Sequence, residues 1–223
     1  MNINEYQNYH ETKAHTSAEF PYNTYLCSIP LDFPGVPLHW HDELELVVIK
    51  RGQGFVSVDF DKRLVHSGDI IIIPPRCLHA IEQDDTFKME YENIIFKPDL
   101  LSSGANDLCM IQYIVPLLDG SLPIEYFLTP ALGSFEALSN CIRQIDLVCA
   151  DQTPGWQLAV KSSLFNFFFL LISERQKKTV STSSNSKSLE KMKTVLKAQQ
   201  YATLLGLMPK SPSSTNILSK LLF

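Results

Sequence analysis

The sequence has 223 residues but no Cys-x-x-Cys pair, no long apolar run and no internal repeat. Its five cysteines are scattered and odd in number, which excludes the usual zinc-binding and dithiol redox motifs. Cys141 and Cys149 fall on a helical pattern and are predicted to be small core residues. The longest apolar stretch runs from Leu164 to Ile172 and contains Asn166, whereas a transmembrane helix needs about 20 apolar residues.

The N-terminal residues are polar and lack the positive start and apolar core of a secretory signal. Apolar residues make up 45% of the chain and charged residues 19%, which is ordinary for a globular protein. We therefore expect a cytoplasmic protein without membrane contact. The length is sufficient for one well-packed domain, or for one domain with a small appendage.

Charge is distributed unevenly along the chain. Residues 1–175 carry 23 acidic and 11 basic side chains, a balance of −12, whereas residues 176–223 carry eight lysines and one glutamate, a balance of +7. An acidic body with a basic tail is consistent with a regulator whose tail led towards DNA. A solvated, disordered tail that carries lysines accounts for the same pattern.

Short β-rich runs separated by turn signals occupy the region from Tyr25 to about Phe96, and predict an all-β barrel or sandwich. We predict a turn at Lys50-Arg51-Gly52 and a stop at Pro74-Pro75. A short helix over Leu108 to Leu118 and a last strand over Pro123 to Leu128 are also predicted. The predicted strands are Leu44 to Ile49, Phe55 to Phe60, Ile70 to Ile73 and Met89 to Phe96.

After Pro130 the period changes from two to 3.6, which predicts two helices. Ser134 is the expected N-cap of the first. Thr153-Pro154 is expected to open the second, which runs to about Arg175 and is apolar nearly all round. Such a helix must be buried on more than one side, so we expect one face on the barrel and another against a partner subunit.

These patterns divide the chain into five parts. Residues 1–20 form an N-terminal arm or a disordered lead-in, 21–130 the barrel, and 131–175 a helical dimerisation segment. Residues 176–187 are too hydrophilic to pack and are predicted to be a linker. Residues 188–223 form one short amphipathic helix and an irregular tail, which are too short for a second domain.

The candidate chemistry is concentrated in three histidines and a glutamate. Alternation on a strand places His39 and His41 on one face, directed into the barrel, where Glu45 and His79 are expected to join them. Three imidazoles and a carboxylate suit divalent iron, manganese, nickel or zinc. The same set is also consistent with a metal-free ligand pocket or with a structural polar core.

Four other residues near this set have simpler interpretations. Trp40 points away from its flanking histidines and is predicted to be a packing residue. His66 is predicted to lie at the surface. Tyr91 and Asn93 alternate on a strand, so they are candidate ligand-binding residues or ordinary core and surface residues.

The two segments that carry this set resemble the two motifs of the cupin superfamily. The resemblance implies that His39, His41, Glu45 and His79 occupy the four usual metal-ligand positions. Gly52, Gly68 and Pro74 match the structural positions around them. The departures from the motifs are Arg76 in place of glycine and Gln83 in place of asparagine.

Within cupins the chain is similar to the sensing domains of AraC/XylS-type transcription regulators. The similarity is carried by His39 to Leu46, Gly52-Gln53-Gly54 and Gly68 to His79, and it covers most of residues 20–175. It implies a barrel that binds a small effector, often a sugar, and helices that join a homodimer. Many family members bind the effector without metal, in which case these histidines bond to effector hydroxyls.

Regulators of this type continue with a DNA-binding domain of two helix-turn-helix units. Residues 188–197 resemble the first helix of that domain, and the resemblance then stops. We therefore expect a truncated, non-enzymatic regulator portion that reaches DNA only as part of a full-length regulator. The alternative is a stand-alone metal-dependent cupin enzyme, such as a dioxygenase, isomerase or epimerase.

Overall fold

The structure is a computed structural model that describes residues 3–104 and 107–181, with side chains for 5–104 and 107–175. The second half of the predicted linker, residues 182–187, and all of segment 188–223 lie outside the described residues. The elements in chain order are α1 (Ile3–Gln7), β1 (Tyr22–Ile29), β2 (Gly35–His39), β3 (Leu44–Val58), β4 (Asp61–His66), β5 (Ile70–Ile73), β6 (His79–Gln83), β7 (Met89–Phe96), a 3₁₀ helix (Pro98–Leu101), a π-helix (Met110–Ile114), α2 (Val115–Leu118), β8 (Phe127–Leu128), α3 (Phe135–Asp151) and α4 (Trp156–Ser181).

Two antiparallel sheets form the barrel, and both contain the long strand β3. The first sheet has the order β1-β7-β3-β5-β8, and the second contains β2, β6, β3 and β4. The first half of β3 pairs with β5 and β7, and its second half pairs with β4 and β6. The predicted class, a mainly β barrel followed by two helices, is confirmed.

The predicted turn at residues 50–52 is wrong, because β3 continues through it. The pairing with β7 is irregular between Ile49 and Arg51, and Gly52 has a φ of 77°. A Cβ at Gly52 would lie 1.8 Å from the Lys88 carbonyl oxygen, so only glycine fits. A bulge of this kind bends a strand without ending it, and here it carries β3 from one sheet into the other.

Alternation along the strands separates two apolar cores. Val47 and Ile49 point into the barrel and join Val56, Val58 and other side chains from both sheets. The intervening residues of β3 point outward, and the outer core that they form is completed by α3 and α4. Its members from the first sheet are Leu44, Leu46, Val48, Ile70, Ile72, Ile94, Phe96 and Leu128.

The helix α3 begins after Ser134, as predicted, but α4 begins two residues later than expected. Gly155 has a φ of 88°, which is incompatible with a helix, so Pro154 belongs to the preceding turn. The helix then continues to Ser181, into the segment predicted as linker. The predicted helix over 108–118 is present as the π-helix and α2, whereas the predicted last strand is reduced to Phe127–Leu128.

The apolar character of α4 has an explanation in the packing. By length and composition alone, Trp156–Arg175 is long and apolar enough to cross a membrane, but a core helix passes the same test. One side of α4 lies in the outer core through Val160, Leu164 and Phe167. The opposite side leaves Leu158 and Phe169 exposed.

The N-terminal segment is an ordered arm rather than a disordered lead-in. The backbone N–H of Trp40 donates to the Tyr9 carbonyl oxygen (2.9 Å), and the N–H of Glu11 donates to the Trp40 carbonyl oxygen (2.9 Å). The Trp40 ring stacks against Tyr6 and His10, with centroids 4.9 and 4.2 Å apart. The arm is thus attached to the strand end that carries the histidine motif, with Trp40 as the predicted packing residue.

Candidate functional site

The pairing of β2 with β6 brings two histidines face to face. His39 and His79 are direct partners in the register, and their ring centroids are 4.0 Å apart. His41 lies just beyond the end of β2, with its centroid 5.7 Å from that of His39 and 4.9 Å from that of His79. One ligand atom from each of the three side chains lies within 4.8 Å of the others.

Hydrogen bonds to the main chain fix two of these rings. Nδ1–H of His39 donates to the Pro37 carbonyl oxygen (2.9 Å), and Nδ1–H of His79 donates to the Cys77 carbonyl oxygen (2.8 Å). In both residues this leaves Nε2 as the atom with a free lone pair. Outer partners of this kind orient metal-binding histidines in proteins.

Glu45, the second residue of β3, supplies a buried carboxylate to the cluster. Its Oε2 atom is 3.0 Å from Nε2 of His41 and 3.3 Å from Nε2 of His79. Burial alone raises the pKa of Glu45, but the hydrogen bond and charge of His41, together with the neighbouring His79, outweigh it and hold the pKa well below its ordinary value. The carboxylate is therefore ionised at neutral pH.

The histidines respond to this charge differently. Burial lowers the pKa of His41, but the hydrogen bond and charge of Glu45 raise it above its ordinary value. Burial and the neighbouring His79 lower the pKa of His39 to about 4. The His39 ring is consequently neutral at physiological pH, as a metal ligand or hydrogen-bond acceptor must be.

Arg76, where the second cupin-like motif departs from its usual glycine, adopts a left-handed backbone conformation. Arg76, at the usual glycine position, has a φ of 62°, in the left-handed region that glycine normally occupies. Its N–H donates to the His41 carbonyl oxygen (2.7 Å), and its Nε donates to Oδ1 of Asp42 (2.7 Å). These contacts tie the loop before β6 to the loop that carries His41.

Tyr91 and Asn93 lie on β7 and face the barrel interior. Tyr91 is buried in the interior core, and Asn93 pairs with Val47 of β3 and with Tyr25 of β1. Asn93 is the diagonal neighbour of Glu45, whose direct partner is Ile95. The Oδ1 atom of Asn93 is buried and has no hydrogen-bond partner among the described residues.

Two arm residues at the site have no signal in the sequence pattern. Oε2 of Glu11 is 3.5 Å from Nε2 of His39 and 2.9 Å from Nε2 of His15. His15 is buried, and its ring centroid is 5.5 Å from that of His41. Both residues lie in a polar segment without periodicity, and contacts of the arm with Trp40 and with β1 bring them here. The other predicted residue, His66, is exposed at the end of β4.

A family model described as the AraC-like ligand binding domain matches residues 25–168. The uncharacterised HTH-type transcriptional regulator YdeC of Bacillus subtilis is 32% identical over 159 residues, which are 71% of this chain and 54% of YdeC. A second such regulator from this organism, YbfI, is 26% identical over 72 residues, 32% of this chain and 26% of YbfI. The chain thus spans about half the length of YdeC.

Solved structures with similarity to the chain include a cupin protein from Bacteroides fragilis, which is 24% identical over 40% of this chain and 80% of that one, with a TM-score of 0.34. A predicted oxalate decarboxylase from Thermotoga maritima is 25% identical over 33% of this chain and 64% of that one, with a TM-score of 0.30. The TM-scores of these solved structures are too low to support an assignment. The family of the chain is shown by the match to the family model and by the similarity to YdeC. The resemblance to AraC-type regulators is confirmed, and the chain belongs to the family of AraC-like ligand-binding domains.

Proposed function

We propose that this chain is the effector-sensing and dimerisation portion of an AraC-type transcription regulator. In this proposal its small-molecule effector binds in the barrel at a divalent transition metal held by His39, His41, His79 and Glu45. The observation that carries the proposal is the convergence of three imidazoles within 4.8 Å beside a buried, ionised carboxylate.

The distances from Glu45 to two of the histidines fit such an ion. Metal–ligand bonds of roughly 2.0–2.1 Å place neighbouring ligand atoms roughly 2.9–3.4 Å apart at octahedral or tetrahedral angles. Oε2 of Glu45 lies 3.0 and 3.3 Å from Nε2 of His41 and His79. Nε2 of His79 is buried without a hydrogen-bond partner among the described residues. Nitrogen and oxygen donors suit iron, manganese, nickel or zinc.

The bound metal would supply a Lewis-acidic attachment point for an oxygen or nitrogen atom of the effector. The protein's own contribution is orientation. Asn93 offers an unpaired amide oxygen on the interior face, diagonal to Glu45, and Tyr91 lies two residues further along the same face. Both are therefore proposed ligand-binding residues, with Asn93 accepting a hydrogen bond from an effector hydroxyl or amine.

The test is metal content after loading with Zn²⁺, Ni²⁺, Mn²⁺ or Fe²⁺ and extensive dialysis. We expect about one ion per chain in the wild type and in the control His66→Ala, whose histidine is exposed on β4. We expect none in the double variant His39→Ala, His79→Ala. A wild type that retains no metal would refute the proposed metal site. The histidines would then be direct hydrogen-bonding partners of an effector that binds without metal.

Dimerisation is proposed for the outer side of the helix pair. Leu147 on α3 and Leu158 and Phe169 on α4 are 59%, 74% and 64% exposed. Leu158 and Phe169 are eleven residues apart, about three helical turns, so they share one face of α4. Sedimentation should show a dimer in the wild type and a monomer in Leu158→Glu, Phe169→Glu. A wild-type monomer would contradict this part of the proposal.

The acidic body makes DNA contact by the barrel unfavourable. The balance of −12 over residues 1–175 repels phosphates, so we propose that DNA is reached only through a full-length regulator in the cytoplasm. A mobility shift of promoter DNA by this chain, selective for sequence and sensitive to salt, would contradict that.

The second candidate function, a metal-dependent cupin enzyme, is favoured by the same histidine cluster. Turnover of a small-molecule substrate by the loaded wild type, lost in the histidine double variant, would establish it instead.

A further inference from the structure

Glu11, on the N-terminal arm, places its carboxylate beside His39, the histidine of the cluster that Glu45 does not contact. Glu45 lies against His41 and His79, whereas Oε2 of Glu11 lies 3.5 Å from Nε2 of His39. This separation is close to the roughly 2.9–3.4 Å expected between neighbouring ligands of one transition-metal ion. Each of the three imidazoles therefore has a carboxylate oxygen beside it.

The position of Glu11 is fixed from both ends of the residue. Its backbone N–H donates to the carbonyl oxygen of Trp40, which stands between the two motif histidines. Its carboxylate accepts a hydrogen bond from Nε2 of His15 (2.9 Å). His15 is itself held through its carbonyl oxygen, which accepts a hydrogen bond from Nδ2 of Asn23 on β1 (2.9 Å).

We infer that Glu11 is a further ligand of the metal ion in the proposed site, and that His15 is the positioning residue for its carboxylate. The inference rests on the metal of the proposed function. A hydrogen bond from a second residue to a ligating carboxylate is the arrangement by which proteins orient metal ligands. The site then has three nitrogen and two oxygen donors, one of which comes from outside the barrel strands.

This donor set distinguishes between metals. Structural zinc is almost always four-coordinate, whereas manganese and other oxygen-preferring ions take octahedral sites. Five protein donors therefore favour Mn²⁺, Fe²⁺ or Ni²⁺ in a five- or six-coordinate site over tetrahedral Zn²⁺. Removing Glu11 should both weaken binding and lower the coordination number of the bound ion.

The experiment uses Co²⁺ as a probe in the full chain, because its visible d–d absorption grows stronger as the coordination number falls. The wild type is compared with Glu11→Gln, with His15→Gln and with the control Glu19→Gln, an exposed glutamate of the same arm. In Glu11→Gln we expect a Kd for Co²⁺ raised about 10-fold or more, together with a changed d–d spectrum. We expect His15→Gln to weaken binding with the wild-type spectrum, and Glu19→Gln to match the wild type in both.

Tryptic cleavage after Lys13, which lies in the exposed part of the arm, shows whether each variant keeps the arm attached. If Glu11→Gln keeps the arm attached and retains the wild-type Kd and spectrum, Glu11 is not a ligand, while the proposed metal site stands. A raised Kd with an unchanged spectrum also overturns the inference, because it makes Glu11 a positioning residue. If the wild type binds no Co²⁺, the metal of the proposed function fails and the inference fails with it.

Discussion

Replacement of His39 by glutamine tests the electrostatics of the cluster directly. The pKa of His39 falls from 6.5 to about 4 because the ring is buried and faces His79. A histidine with a depressed pKa in the folded state takes up protons more readily in the unfolded state. As the pH falls below about 6.5, the unfolded state is therefore favoured, and the effect is complete below about 4.

The size of the effect follows from the two pKa values. His39 is only 16% exposed, so its interactions are little screened by solvent. At pH 5 the ratio of the two binding polynomials is roughly 30, which lowers the free energy of unfolding by about 2 kcal/mol. At pH 7.5 the same expression gives less than about 0.1 kcal/mol. The wild type should thus lose about 2 kcal/mol through this residue between the two pH values.

The assay is urea unfolding in the presence of EDTA at both pH values. Other groups titrate over the same range, so the quantity of interest is how much less stability His39→Gln loses than the wild type does. We expect a difference of about 2 kcal/mol, and a difference within about 0.5 kcal/mol for the exposed control His66→Gln. If His39→Gln loses as much stability as the wild type, the His39 ring protonates normally and is not crowded by His79.

Three further perturbations have expected outcomes. Gly52→Ala places a Cβ 1.8 Å from the Lys88 carbonyl oxygen at a φ of 77°, so urea unfolding should show that the free energy of unfolding falls by about 2–5 kcal/mol. In the control Gly133→Ala the added Cβ meets nothing within 4 Å, so the free energy of unfolding should change little. Trp40→Ala removes two stacked rings from the arm, so trypsin should cleave after Lys13 about 10-fold faster; an unchanged rate would refute the attachment. The Lys50 ammonium lies 2.6 and 2.9 Å from the carboxylates of Glu92 and Asp146, and Lys50→Met leaves both without a cation. The free energy of unfolding at pH 7.5 should then fall by about 1–2 kcal/mol. An unchanged midpoint of urea unfolding would contradict this pairing.

Most strands of the barrel and the two helices could be predicted from local patterns in the sequence. The runs Ile70–Ile73 and Met89–Phe96 are found with the predicted bounds. The β3 region is the exception, because Lys50-Arg51-Gly52 has turn composition in a strand that continues. A positive φ at one glycine serves equally for a turn and for a bulge, and only the pairing of β3 with strands on both sides selects the bulge.

The four motif residues of the cluster were predictable because each one lies on or beside a strand with defined alternation. His39 and His79 follow from pattern alone, and the register then makes them direct partners. Glu11 and His15 were not predictable. Their segment has no period of two or 3.6, so nothing in it indicates which face of the molecule it covers.

The sequence by itself determined the family, the barrel with its helix pair, and the four motif residues of the cluster, because alternation and motif spacing are properties of a single chain segment. The tertiary structure decided three things that depend on contacts between distant segments. It joined two predicted strands into one through a bulge at Lys50, it attached the arm to Trp40, and it brought Glu11 to within 3.5 Å of His39. Each is a contact between residues far apart in the chain, and its energy depends on packing that no local pattern contains.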